Sequence, residues 1–231
     1  MSVPVLRNPK SPKLKFYRSS IGKKVLMALT GLFLCSFLVE HLIGNLLLFK
    51  QDGGATFDAY GEFMSNNFLI RTIEIGLFAV FVAHIIDGTW LWLVNRRTRP
   101  QRYEMNKPSG NSCLASRITF FTGSIVFIFL VVHLRTFFVP SRFGAGHPSM
   151  YRLVVEAFNN PTYVSFYVVA LILLGYHLRH GFQSAFQSLG LRHGKYKRLV
   201  DFVGFIFWFV IPAGYATMPI YFLWSHLRGG G

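Results

Sequence analysis

The sequence predicts an all-α integral membrane bundle of five transmembrane helices, with the N-terminus cytoplasmic and the C-terminus on the opposite side. Three observations predict it. Hydrophobic residues make up 52% of the 231 and charged residues only 14%, where a soluble domain carries about 25% charged. Five apolar runs are long enough to cross a bilayer, for which about 20 residues suffice. The formal net charge is nonetheless +15, from 24 Lys+Arg against 9 Asp+Glu, so the basic residues must cluster between the runs. A soluble nucleic-acid binder would spread more charge through the chain, so the expected partner is the lipid bilayer and not nucleic acid.

Residues 1–20 form a basic, proline-containing arm with Pro4, Pro9, Pro12, Lys10, Lys13, Lys15 and Arg18, too polar for a signal peptide. Residues 21–231 read as a single transmembrane domain. The first span, 21–49, opens after Ser19 and Ser20, both good helix caps. The second covers 68–94, beyond a polar loop that contains QDGG at 51–54. The third covers 115–138 and is followed by the loop SRFGAGHPS. The fourth, 161–187, starts after Asn159-Asn160-Pro161, a helix-start pattern. The fifth, 198–224, holds Pro212, which predicts a kink.

Lysine and arginine fix the orientation. They fill the N-terminal arm through Lys24, the second-to-third loop (Arg96, Arg97, Arg99, Arg102, Lys107) and the fourth-to-fifth loop (Arg192, Lys195, Lys197, Arg198). The opposite loops hold Lys50, Arg142 and Arg152 beside Asp52, Asp58, Glu62 and Glu156. By the positive-inside rule the basic side is cytoplasmic. The two cysteines, Cys35 in a span and Cys113 in a loop, do not suggest a disulfide, and the absence of CxxC speaks against iron–sulfur ligation and covalent haem attachment.

Histidines carry the functional signal. His147, His193 and His226 sit in loops or at the C-terminal edge, where solvated surface explains them. His41, His84 and His133 lie in the first three spans, and His177 and His180 in the fourth. Ionisable groups inside spans are costly and usually functional, although for any one of them interhelical hydrogen bonding is an equal reading. At 1.5 Å per residue, His41 lies ~12 Å and His133 ~8 Å from the outer ends of their helices, and His84 and His177 both ~24 Å. The result is two layers, each drawing one imidazole from each of two helices, as a bis-histidine haem requires. Zinc would need further converging ligands, for which Asp87 and Glu40 offer no complete set. His180 stands one turn from His177 and could ligate in its place, the other then meeting a haem propionate. Arg135 and Arg179 extend toward the interfaces or a propionate.

The segments SSIGKKVLMALTGLFLCSFLVEHLIGN, FDAYGEFMSNNFLIRTIEIGLFAVFVAHIIDG, SRITFFTGSIVFIFLVVHLRTFF and FYVVALILLGYHLRHGFQSAFQSLG resemble the cytochrome b membrane anchor of succinate dehydrogenases and fumarate reductases (succinate:quinone oxidoreductases), in the dihaem, single-anchor, five-helix class. The resemblance covers four spans and most of the first external loop. It implies two haem b, the outer held by His41 and His133 and the inner by His84 and His177, chosen over His180. It further implies a flavoprotein subunit and an iron–sulfur subunit docked on the cytoplasmic face of the inner membrane. Electrons would then run through the inner and outer haems to a quinone, menaquinone being the commoner partner in this class. Some fumarate reductases of the class carry a proton-transferring glutamate where Gly175 stands here, so the resemblance favours succinate oxidation. Candidates near the quinone are Glu62, Asn66, Arg71 and Glu74, for which loop solvation and helix capping are equally good readings. Two other functions compete. One is the dihaem cytochrome b of a hydrogenase or formate dehydrogenase, which these segments match poorly. The other is a haem-free transporter with a histidine proton relay, for which an inverted repeat is lacking.

Overall fold

The computed structural model describes residues 19–97, 114–144 and 149–229. The arm 1–18, Cys113, His147 and the loop arginines Arg99 and Arg102 lie outside the described residues. All regular structure among the described residues is helical. Helix α1 is Ser20–Asn45, extended by a 3-10 turn Leu46–Phe49; α2 is Ala55–Asn66 and α3 is Phe68–Arg97. Helix α4 runs Leu114–His133, through a π turn Leu134–Phe138, into a last segment Val139–Phe143. Helix α5 is Met150–Phe158 and α6 is Pro161–Ser188. Helix α7 begins with a 3-10 turn Gly194–Tyr196, continues as Lys197–Phe205, passes a π turn Ile206–Val210 and ends as Ile211–Leu227.

Five of these, α1, α3, α4, α6 and α7, are long and apolar enough to cross a membrane, with mean hydropathy from 1.5 to 2.0. This makes the chain, by length and composition, a multi-pass membrane protein. The caps follow the sequence: Ser19 Oγ accepts from the Gly22 amide at 3.0 Å. Asn160 Oδ1 accepts from Thr162 and Tyr163 ahead of Pro161 at the start of α6.

Each π turn closes just before a proline, at Pro140 and at Pro212. Proline has no amide proton for the i−4 carbonyl and its ring crowds that carbonyl, so the helix widens locally instead of stopping. Pro212 therefore produces a π turn in α7, and Pro140 one in α4, which runs on to Phe143 beyond the predicted end at 138. The two connections expected as polar loops contain the short helices α2 and α5. Their spacing is amphipathic: Phe57 on α2 and Val154 and Phe158 on α5 are buried, and a search for 20-residue apolar runs passes over such helices. Asp52 shapes the turn before α2. Its carboxylate accepts from the Gly54 and Thr56 amides, both at 3.1 Å, and from the Thr56 hydroxyl. Gly54 adopts φ 90° and lies flush on the Tyr151 ring, which leaves no room for a Cβ.

Successive long helices alternate in direction. Trp92 near the end of α3 stacks on Phe120 near the start of α4, at 4.0 Å between centroids, and Arg142 at the far end of α4 bonds Glu74 near the start of α3. Helix α6 lies at the centre, packed on α4, α1 and α7, and carries Val164, Tyr167, Ala170, Leu171, Leu178 and Phe182 into the core. Helix α3 packs along α1 and touches α4 only sparingly, and Ile73, Ile75, Val82 and Ile86 point outward. Because lipid is as apolar as leucine, such helices are held by close packing and by interhelical hydrogen bonds of about 0.6 kcal/mol each. Tyr215 of α7 supplies one by donating to the Leu38 carbonyl of α1 at 2.7 Å.

Candidate functional site

The fold brings four span histidines together in two pairs. His41 of α1 and His133 of α4 stand 5.8 Å apart between ring centroids, with planes crossing at 86°. His84 of α3 and His177 of α6 stand 6.5 Å apart, crossing at 74°. The first pair lies toward the bundle end that holds Phe49, Phe68 and Phe143, the second toward the end that holds Ser20, Arg97 and Ser188. All four rings are half-buried. His177 is the α6 histidine that meets His84, and His180 lies one turn further along α6. His193 and His226 are exposed.

Hydrogen bonds orient the rings. Thr30 Oγ1 spends its proton on the backbone carbonyls of Leu26 at 2.9 Å and Met27 at 3.2 Å. Its 3.1 Å contact with His84 Nδ1 is therefore one it accepts, which places the proton on Nδ1 and leaves Nε2 bare. The same reasoning runs along a chain of hydroxyls at the other pair. Thr136 donates to the Val132 carbonyl at 3.0 Å. It must then accept from Tyr163 at 3.0 Å, so the 3.2 Å bond between Tyr163 and Tyr167 carries the Tyr167 proton. Tyr167 is left to accept from His133 Nδ1 at 2.9 Å. With one proton per oxygen, only this order makes every bond at once. His133 too presents a bare Nε2. At His41 the Asn45 side-chain amide reaches Nδ1 at 3.4 Å, and the ring stacks on Phe37 at 5.2 Å. The Nδ1 of His177 is buried and makes no hydrogen bond of sound geometry, although the ring interacts with the backbone of Thr119.

Two glycines make space for the second pair. A Cβ on Gly31 would stand 3.3 Å from His84 Cε1, and one on Gly123 would stand 3.1 Å from His177 Cε1. Gly175 has a different role. The Trp208 carbonyl, four residues before Pro212, lies 2.7 Å from where its Cβ would be. A side chain at this position has no room. Arg179 lies over the Trp208 ring at 5.3 Å, and Arg135 is exposed.

The donor set suits a planar metallocofactor. An imidazole nitrogen binds a metal at ~2 Å with its ring centroid ~1 Å behind, so two axial imidazoles stand about 6 Å apart between centroids. The observed 5.8 and 6.5 Å bracket that span. Among the described residues no three His, Cys, Asp or Glu side chains converge, so each pair offers two imidazoles and no more. His84 and His133, one in each pair, have Nδ1–H held by a neighbour and Nε2 bare, the arrangement of metal-ligating histidines. Two facing imidazoles at this spacing form a donor set that would fit haem b.

The quinone candidates do not gather around one hollow. Glu62 and Asn66 are exposed on α2. Glu74 receives Arg71 at 2.8 Å and Arg142 at 2.7 Å, an ion cluster that ties α3 to α4. Sequence reasoning missed Thr30, Tyr163, Tyr167, Gly31 and Gly123. Each lies on a different helix from the histidine it serves, and only the small residues on span faces hinted at close approach. No protein-family model, no curated protein and no solved structure matches the chain.

Proposed function

We propose that this chain is a dihaem cytochrome b, the membrane anchor and electron-transfer subunit of a succinate:quinone oxidoreductase in the cytoplasmic membrane. The observation that carries the reading is the pairing of four span histidines at two depths. His41 with His133, and His84 with His177, would hold the two haems. Bound there, haem b would supply a one-electron carrier at each depth. Tyr167 and Thr30 fix the tautomer and orientation of His133 and His84. Gly31 and Gly123 let neighbouring helices approach the inner pair closely, and the apolar walls keep water from it.

The bundle end bearing Lys23, Lys24, Arg96, Arg97, Arg192 and Lys195 is the cytoplasmic one. Its basic surface is the docking face for the iron–sulfur subunit, behind which the flavoprotein performs the succinate chemistry. At the opposite end a membrane quinone, menaquinone in most proteins of this class, exchanges electrons with the anchor.

The test is spectroscopic. The chain purified in detergent should show a reduced-minus-oxidised b-type spectrum and two haems per chain by pyridine haemochrome. A folded but colourless protein would sink the reading. His133→Ala should remove only the outer signal and His177→Ala only the inner. His180→Ala should keep both.

A further inference from the structure

The hydroxyl of Tyr167 has one proton and two neighbours that could take it. His133 Nδ1 lies at 2.9 Å and the Tyr163 hydroxyl at 3.2 Å. Tyr167 is only 5% exposed. The rings of Phe129, Phe158 and Phe137 stand edge-on to it at 4.8, 5.1 and 6.5 Å between centroids, a cage that keeps water from the hydroxyl. The proton therefore goes to one neighbour or the other. Given to His133, it makes Nδ1 the acceptor and moves the imidazole proton to Nε2, the nitrogen that would meet a metal. Given to Tyr163, it leaves Nε2 bare.

The choice is made further along the relay. In the forward order His133 donates to Tyr167, Tyr167 to Tyr163, Tyr163 to Thr136 at 3.0 Å, and Thr136 to the Val132 carbonyl at 3.0 Å. In the reverse order Thr136 turns to Tyr163, Tyr163 to Tyr167 and Tyr167 to His133, and the bond to Val132 is lost. The forward order makes four bonds and the reverse three, so the forward order holds. Without the Tyr163 hydroxyl, or without the Thr136 hydroxyl that receives it, the two orders make equal numbers. A metal on Nε2 still demands the forward order. That order then leaves a buried hydroxyl proton, on Tyr167 or Tyr163, with no acceptor, a loss of about tenfold in affinity.

We propose that Thr136 and Tyr163, neither of them bonded to an imidazole, are positioning residues of the outer pair, which decide through Tyr167 which nitrogen of His133 is bare. The proposal rests on the dihaem reading above for what that nitrogen holds. It extends the outer pair two side chains beyond Tyr167. The inner pair is built differently: Thr30 commits its proton directly to the Leu26 and Met27 carbonyls of its own helix, so His84 depends on no second side chain.

The full chain is purified in lipid nanodiscs as wild type, Thr136→Val, Thr136→Ser, Tyr163→Phe and the Thr136→Val/Tyr163→Phe double variant. Valine matches threonine in shape, so packing is kept while the end of the relay is lost. Transfer of each haem to apomyoglobin is timed from its own α-band. Outer haem should leave about tenfold faster from Thr136→Val and from Tyr163→Phe, inner haem at the wild-type rate. Thr136→Ser keeps the hydroxyl and should behave as wild type. Because both substitutions break one relay, the double variant should lose outer haem no faster than Tyr163→Phe alone. Unchanged rates in both single variants, additive effects in the double variant, or equal loss from the inner site would each overturn the proposal. Should Tyr163→Phe fail to fold, the contrast between Thr136→Val and Thr136→Ser decides. If the chain carries no haem, the nitrogen-15 shifts of its histidines are read instead, His133 being the signal missing from His133→Ala. Nδ1–H alone in the wild type, with both tautomers in Thr136→Val and Tyr163→Phe, would refute the haem reading and keep the relay. Nδ1–H alone in every variant would refute both, and a haem-loaded chain with wild-type rates throughout would refute only the relay.

Discussion

His133 on α4 and Tyr167 on α6 meet at 2.9 Å, Nδ1 to hydroxyl, and the hydroxyl chain beyond Tyr167 dictates which partner holds the proton. Outer-shell bonds of this kind typically contribute 10–100-fold to metal affinity. Tyr167→Phe should therefore leave the bundle folded, with haem lost preferentially from the His41–His133 pair during dilution or transfer to a haem acceptor. Thr30→Val should do the same at the His84–His177 pair. The pyridine haemochrome count together with the low-temperature α-band of each haem reads both effects. Loss from the other pair in either variant would contradict the hydrogen-bond assignment.

Gly123 and Gly175 separate a local effect from a structural one. Alanine at 123 brings a methyl to 3.1 Å from His177 Cε1, so the ring must move by a few tenths of an ångström. The expected outcome is an altered inner-haem spectrum with the outer signal and the melting temperature preserved. Alanine at 175 meets the Trp208 carbonyl at 2.7 Å, and backbone does not yield as a ring does. Helix α7 must shift, at about 1–3 kcal/mol as in other overpacked sites, and the thermal midpoint should fall. Equal behaviour of the two variants would disprove the distinction.

The histidine pairs were legible in the sequence because depth in a straight helix is arithmetic, and alternating helices convert sequence position into layers. Membership of one layer does not say which helices touch. The central place of α6, in contact with α4, α1 and α7, brings Tyr167 to His133, and the packing of α3 along α1 brings His84 to His177. The π turns were half legible. Pro212 announced a disturbance and Pro140 did not, since it lay in the stretch read as loop. The bond from the Tyr60 hydroxyl to Glu40 was illegible for another reason. Glu40 and Tyr60 are twenty residues apart on elements of which one is short, and only the turn at Gly53-Gly54 brings α2 back along α1.

Glu74 joins α3 to α4 where those helices otherwise touch little. Its carboxylate takes Arg142 at 2.7 Å and Arg71 at 2.8 Å, and the Glu74 and Arg142 side chains are only 21% and 16% exposed. Glu74→Gln should lower stability by about 1–2 kcal/mol, more than the median surface pair, because a partly buried arginine loses its partner. The thermal midpoint of the detergent-solubilised chain measures the loss. Arg152→Ala, at the looser 3.9 Å pair with Glu156, should leave it within error.

Asp52 makes the start of α2 sensitive to acid. Hydrogen bonds from the Thr56 hydroxyl, then from the Thr56 and Gly54 amides, with Lys50 nearby, hold its carboxyl below the ordinary 3.8. A carboxyl lowered on folding stabilises the folded turn above its unfolded value, and that contribution disappears as the pH falls through the lowered one. Amides 55–58 should accordingly keep full hydrogen-exchange protection, after correction for intrinsic rates, from neutral pH down to about 4, and lose it progressively below. Asp58, which accepts from the Tyr151 amide at 2.9 Å, stands on the same helix, so the variant rather than the pH profile isolates Asp52. In Asp52→Asn the protection should already be reduced at neutral pH and its dependence on acid largely flattened. Unchanged protection of amides 55–58 in that variant would show that Gly53-Gly54 and the Tyr151 contact hold the turn without the carboxylate.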